Sequence, residues 1–195
     1  HPLDRVVWSA LTGRQSRFAL GNERALRFPA AVAPFAAMAD TDPASFDALR
    51  GLIEAEGPAA LVTPHEIPPA EGFSVMRHEG LLQMVCQEDR QSEAAPEDAR
   101  GHVRLGASDV QEILALIAAT QPGPFGPRTI ELGEYFGVRR QGRLAAMSGE
   151  RMKPEGHTEI SAVCVDPAFR GQGHAASLMK RLIAAMHARG ETPFL

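Results

Sequence analysis

Near the C-terminal end of the chain, Arg170-Gly171-Gln172-Gly173-His174-Ala175 places two glycines and an arginine at the mouth of a helical pattern. Those types at that spacing bind anions. The first turn of a helix carries N–H groups with no partner inside the helix, and the aligned peptide dipoles add about half a positive charge there. Glycine lets the backbone approach a ligand with no Cβ in the way, so several N–H groups converge on one group. Arg170 adds a fixed positive fork. The expected ligand is a phosphate or a pyrophosphate.

Strand and helix must position that loop. Ile160 to Val165 is a short apolar run with β-branched residues and reads as a buried strand. Asp166-Pro167 stops it, because proline has no N–H for a ladder. From His174, Ala175, Leu178, Leu182, Ala185 and Met186 fall on one helical stripe, and Gly190 stands where a helix ends. Pro193-Phe194-Leu195 begins another strand. A glycine between strand and helix is also read as a plain tight turn. A dinucleotide site is a further alternative, since Gly171-x-Gly173-x-x-Ala176 matches G-x-G-x-x-A and Glu191 follows about twenty residues on. Against it, five residues (Asp166 to Arg170) separate the strand from the motif, and Glu191 precedes the next apolar run where it should end it.

Val163-Cys164-Val165-Asp166-Pro167, then Arg170-x-x-Gly173-x-Ala175 with Leu178 in the helix, resembles the acetyl-CoA signature of the GNAT acyltransferase superfamily, Q/R-x-x-G-x-G/A after a strand. FGVRRQGRLAAMS (Phe136 to Ser148) resembles that family's central hairpin, and GHTEISAVCVDP is close to one of its branches. The resemblance spans about Ser108 to Leu195. It implies an α/β (α+β) fold, a GNAT-like mixed sheet flanked by helices, with a smaller N-terminal α/β subdomain. It also implies that an amine attacks the acetyl-CoA thioester directly, in a cleft where the Val163–Val165 strand splays from its parallel neighbour. Backbone groups of Val163 and Val165 would meet the pantetheine arm. The amide of Cys164 or a neighbour would stabilise the oxyanion. The amides of Arg170, Gly171, Gln172, Gly173, His174 and Ala175 would hold the pyrophosphate. The attacking amine must be neutral, so a base is needed: Glu159 first, Glu150 on the facing hairpin strand second, His157 third. Each of the three also reads as a solvated charge at a strand end. The Cys164 side chain reads as core, with an acyl-cysteine role as the alternative.

The family pattern continues with another helix and a closing hairpin, often with a tyrosine that protonates the leaving thiolate. Here Leu195 ends the chain as that strand begins, which predicts an unpaired sheet edge and leaves the general acid unassigned. Tyr135, the one tyrosine, falls on the hairpin.

Composition narrows the partners. The chain has 195 residues, a formal charge of −4 and no broad basic face, which argues against nucleic acid. No apolar run reaches membrane-span length and no signal-peptide pattern opens the chain, so no membrane partner and a cytoplasmic location are expected. Cys86 and Cys164 point to a reducing compartment, and the seven histidines form no ligand cluster, so no metal is expected. A homodimer is left open.

Upstream, Asp4 to Leu11 reads as a short helix. Ala25 to Met38 is an apolar run broken by Pro29 and Pro34. Asp42-Pro43 starts a helix with Asp42 as cap, and its Phe46, Leu49, Leu52 and Ile53 form an apolar face. Ala59 to Thr63, Phe73 to Arg77 and Leu81 to Gln87 read as strands, with a proline-rich loop from Thr63 to Gly72. EDRQSEAAPEDARG (88–101) is polar and acidic and reads as a linker, dividing a subdomain (1–87) from a GNAT domain (102–195) that lacks its C-terminal elements. Ser108 with Gln111 predicts a capping box for a helix through Ile117. QPGPFGPR (121–128) predicts an irregular loop, bordering the acceptor pocket if the resemblance holds. The resulting expectation is an N-acetyltransferase moving acetyl from acetyl-CoA to a small-molecule or peptide amine. A non-catalytic acyl-CoA sensor and a purely structural interaction domain are the alternatives.

Overall fold

The computed structural model describes residues 1–67, 70–87 and 101–195, which divide into two compact units. The predicted linker, apart from Gly101, lies outside the described residues.

The first unit comprises His1–Gln83 with Met152–Glu155. A 3-10 turn leads into α1 (Val6–Thr12), whose Val7, Ala10 and Leu11 are buried. Four short strands form one sheet in chain order: β1 (Leu20–Gly21), β2 (Ala25–Arg27), β3 (Phe35–Met38) and β4 (Ala60–Leu61). Pro29 and Pro34 fall between β2 and β3, so the apolar run is interrupted as their missing N–H groups require. The parallel pairing of β3 with β4 needs a crossover, which α2 (Pro43–Glu56) supplies. Asp42 holds the N-cap position of α2 without capping through its side chain. Asp40 braces the helix start instead, accepting from the Asp42 N–H at 3.1 Å and the Ser45 hydroxyl at 2.5 Å. At the other end, the buried Arg27 guanidinium donates to the carbonyls of Leu52 and Gly57. A cation there meets the negative end of the helix dipole.

The predicted strand Phe73–Arg77 does not form: this stretch has no ladder, and Val75 and Met76 are exposed. An isolated hairpin has no sheet on which to bury its alternate residues, so propensity alone does not hold it.

The second unit comprises Met84–Arg151 and Gly156–Leu195. Its elements are β5 (His102–Leu105), α3 (Val110–Thr120), β6 (Tyr135–Arg140), β7 (Arg143–Glu150), β8 (His157–Val165), α4 (His174–Ala188) and β9 (Thr192–Phe194). The strands lie in that order in one sheet, antiparallel except for β8 with β9. The hairpin turns at Gln141-Gly142, both with positive φ, which suits the right-handed twist of the strands. The capping box expected from Ser108 and Gln111 is absent. A 3-10 turn occupies Ala107–Asp109, and the Asp109 carboxylate accepts from the Gly106 N–H at 2.9 Å instead.

Each face of the sheet has its own core. Ile113 and Leu116 of α3 pack with Tyr135, Met147, Ala162 and Cys164 on one face. Leu178, Leu182 and Met186 of α4 pack with Phe136, Ala146 and Ile160 on the other. The three α4 side chains are fully buried, each contributing about 1.5–3 kcal/mol by transfer from water.

The edge of β9 differs from the sequence expectation. Rather than lying unpaired, it exchanges Met84 N–H to Leu195 O and Leu195 N–H to Met84 O, both at 2.8 Å, and accepts from Cys86 N–H at Pro193 O, at 2.9 Å. Of the predicted strand Leu81–Gln87, only Val85 makes a bridge, to Phe194.

Candidate functional site

The anion loop is built from a stop and a turn. Asp166 accepts from the Ala168 N–H at 2.8 Å and gives its own N–H to the Ala145 carbonyl, ending β8. Phe169 is buried beneath the Arg143 guanidinium, 4.9 Å from its ring centre, and pins the loop's root. Gly171 and Gly173 have φ of 75° and 76°, a region that side-chain-bearing residues rarely adopt. Gly173 is the N-cap of the fifteen-residue α4. The N–H groups of His174, Ala175 and Ala176 therefore head a long helix with no partner within it. His174 is 9% exposed, its Nε2 has no hydrogen-bond partner among the described residues, and burial followed by the nearby Arg140 charge depresses its basicity.

Strand β8 supplies the second part. Its pairing with β7 shifts between Met147 and Gly149, and Ala162 opposite that shift has φ of 53°. An alanine held there costs about 1 kcal/mol or more and marks a bulge that re-aims the strand. Because Asp166 N–H points at β7, alternation sends the Cys164 N–H the same way and those of Val163 and Val165 to the opposite edge. The ladder to β9 covers only His157 to Glu159. Beyond it, the Arg170 guanidinium reaches the Val165 carbonyl at 3.4 Å. The Cys164 thiol lies in the core, its pKa raised by burial against the opposing hydrogen bonds of Thr120 and Met147. That environment does not suit a nucleophile.

The two candidate carboxylates are on opposite faces. Ile160, beside Glu159, packs against α4, so Glu159 is on the α3 face, where Arg151 grips it with two bonds of 2.9 and 2.6 Å. Burial works against the Arg151 charge, but the Glu159 bond and charge outweigh it. Glu150 is fully buried on the α4 face and takes an N–H of Arg189 at 2.7 Å. His157 begins β8, half-buried, opposite Thr192. Tyr135 and Arg151 share the α3 face with Glu159, and β8 bulges at Ala162, although the sequence pattern assigns none of them a role. Arg151 directly follows the hairpin strand and was the legible signal, whereas nothing in Ser161-Ala162-Val163 announces a bulge. Away from this loop, a cleft of about 240 Å³ opens in the first unit beside Trp8, Met38 and Leu61, but its Arg5 is already spent on the carbonyls of Met38 and Ala39. Among the described residues, no group of three His, Cys, Asp or Glu could hold a metal ion, and no helix is long and apolar enough to cross a membrane.

Strand, bulge, glycine loop and helix can together hold a long phosphorylated cosubstrate along one strand edge. Residues 118–195 match the model of the Acetyltransferase (GNAT) family. Over its whole length, the chain is 42% identical to a solved protein from Novosphingobium aromaticivorans assigned to the GNAT acetyltransferase family, covering 85% of that chain with a TM-score of 0.85. The chain belongs to the GNAT acetyltransferase family. It is an acyltransferase. Other solved structures align over less of it. Rv2747 of Mycobacterium tuberculosis, solved with CoA and NLQ, is 20% identical over 46% of this chain and 58% of its own, with a TM-score of 0.40. A ribosomal-protein-alanine N-acetyltransferase of Brucella melitensis biovar Abortus is 22% identical over 47% and 74%, also at 0.40. A comparison with curated proteins returns no match.

Proposed function

We propose that this GNAT protein is an N-acetyltransferase that moves acetyl from acetyl-CoA to an amine by direct attack on the thioester. The observation that carries this reading is the alignment of the outward Val163 and Val165 amides with the Gly171–Gly173 loop and the start of α4, along one edge of β8. The pyrophosphate would rest on the amides of residues Arg170 to Ala175, with the His174 Nε2 beside them. The pantetheine arm would pair with Val163 and Val165, and Arg170 would release the Val165 carbonyl to do so. Of Cys164 and its neighbours, Val163 and Val165 direct their amides away from β7. One of these would donate to the thioester oxygen as charge builds there, an effect worth a few kcal/mol.

Glu159 is the proposed base, acting directly or through water. The amine nitrogen bonds to the acyl carbon, its proton passes to the carboxylate, and the thiolate leaves. Glu150, sealed on the other face, supports the fold. The acceptor is a small-molecule or peptide amine. Two free thiols, Cys86 and Cys164, support a reducing, cytoplasmic setting.

Calorimetric titration with acetyl-CoA, with NAD as control, tests the reading. Binding of acetyl-CoA alone, lost in Gly173→Glu, is the expected result. Binding of NAD in its place would hand the loop to a dinucleotide.

A further inference from the structure

The chain joins parallel strands through a helix twice, and the two helix starts carry opposite chemistry. In the second unit, β8 leads to α4 through Gly171 and Gly173, both with positive φ. In the first, β3 leads to α2 through Asp40-Thr41-Asp42-Pro43. Pro43 has no N–H to offer, and the Asp40 carboxylate already takes the Asp42 N–H and the Ser45 hydroxyl. Those hydrogen bonds, Ser45 first, hold the Asp40 carboxyl below the usual carboxylate range, so it stays charged. The start of α2 thus offers a carboxylate where a phosphate would need amides. It still borders a cleft. The ladder between β3 and β4 ends at Ala36 and Leu61, and the chain beyond each strand, 37–41 and 62–67, lines an opening of about 240 Å³. A crevice outside the carboxyl ends of parallel strands is a common ligand position in α/β sheets.

The lining of that cleft is apolar and its charges are mostly acidic. Trp8, Met38, Leu61 and Ile67 supply the apolar part, and the Arg5 guanidinium lies 5.2 Å from the Trp8 ring centre. Arg5 also donates to the Met38 and Ala39 carbonyls, both at 2.7 Å, so its N–H groups are committed to the backbone. The carboxylates of the lining are Asp4, Asp40 and Glu66, with His65 as the remaining titratable group. Asp4 pairs with the His1 ammonium at 2.8 Å and Asp40 with Arg24 at 3.4 Å. Glu66 is exposed and pairs with no cation among the described residues. We infer that this cleft binds a small hydrophobic ammonium compound, an aryl- or alkylamine. Its apolar body lies against Trp8, Met38, Leu61 and Ile67, and its ammonium meets Glu66, with Asp40 near by. At about 30 Å³ per water-sized group, the opening takes about eight such groups, the size of a benzene ring with a two-carbon amine. A carboxylate of the same shape would meet like charge, which is costly. The site belongs to the first unit and stands apart from the acetyltransferase reading.

Trp8 is the one tryptophan of the chain, so its fluorescence reports on this cleft directly. The full chain is titrated with three probes of matched shape, phenethylamine, 2-phenylethanol and 3-phenylpropanoate, followed by Trp8 emission and by calorimetry. Phenethylamine, a cation near neutral pH, should change the emission saturably. It should bind about tenfold or more tighter than 3-phenylpropanoate, with the alcohol between them. Added salt should narrow that gap, since Glu66 is exposed. Glu66→Lys, at an exposed position, should abolish the preference for the cation. Ala37→Ile, which puts bulk into the cleft, should weaken all three probes and leave acetyl-CoA binding unchanged. The inference is overturned if phenethylamine changes neither the emission nor the heat, or if the three probes bind equally. A Glu66→Lys variant that keeps the preference overturns it too. Acetyl-CoA is titrated separately into the same chain, and its failure to bind would remove the acetyltransferase reading while leaving this cleft to be judged by its own probes.

Discussion

On the α4 face of the second unit's sheet, Arg189 gathers three carboxylates: Glu150 at 2.7 Å, Glu191 at 2.9 Å and Glu134 at 3.9 Å. Thr158, also fully buried, adds its hydroxyl to Glu191 at 2.7 Å. Directly after β7, on the α3 face, Arg151 and Glu159 close a two-pronged pair on the same face as a phenol that has no partner among the described residues. The first arrangement ties the end of α4 to β7, β8 and the approach to β9, and satisfies each carboxylate several ways. The second closes one bidentate pair and leaves the Tyr135 hydroxyl unused among the described residues. Multiply satisfied buried charge reads as architecture.

Replacing the two glutamates in turn separates the two faces most clearly. Glu159→Gln should cut turnover by about 10²–10⁴ while acetyl-CoA still binds in the calorimeter, because a lost base removes a proton-transfer contribution of that size. Equal turnover in the variant would move the base elsewhere. Glu150→Ala should act on stability. Breaking a buried pair costs about 3–5 kcal/mol, and the retention of Glu191 by Arg189 brings this to about 2–3 kcal/mol in chemical denaturation. If Glu150→Ala spares stability and stops turnover, the roles of the two faces are reversed. Gly149→Ala tests the packing around Tyr135. Its methyl must push the phenol ring aside, at about 1–3 kcal/mol of overpacking in chemical denaturation, with acetyl-CoA affinity unchanged.

The smallest effect concerns pH. His174 has its basicity depressed by burial first and by Arg140 second, so the unfolded chain binds a proton more readily than the folded one. Its contribution is fully present above the unfolded value near 6.5 and is lost as pH falls below it. Denaturation midpoints should therefore decline from pH 7.5 to 5.5, less steeply in His174→Gln. A ligand phosphate at Nε2 should reverse the trend, since it favours the protonated ring.

The second unit was far more legible than the first, for reasons that lie in particular residues. Asp166-Pro167, the two glycines and the stripe of Leu178, Leu182 and Met186 are local signals whose meaning needs no distant partner. Gln141-Gly142 announced the hairpin in the same way. In contrast, Phe73–Arg77 has strand composition and no sheet to join, and Leu81–Gln87 is held only where Val85 meets Phe194, across more than half the chain. Ser108 and Gln111 fitted a capping pattern, but Asp109 reached the Gly106 N–H first.

Strand, phosphate loop and helix were settled by the chain's local chemistry, because glycine conformation, proline geometry and helical periodicity act within a few residues. It took the folded sheet to turn Glu150 and Glu159 opposite ways, to give one to Arg189 and the other to Arg151, and to leave the Tyr135 hydroxyl without a partner among the described residues. Each of these depends on strand register and on the bulge at Ala162. A shift of one residue turns every side chain to the other face, and the spacing of charges along the chain carries no record of it.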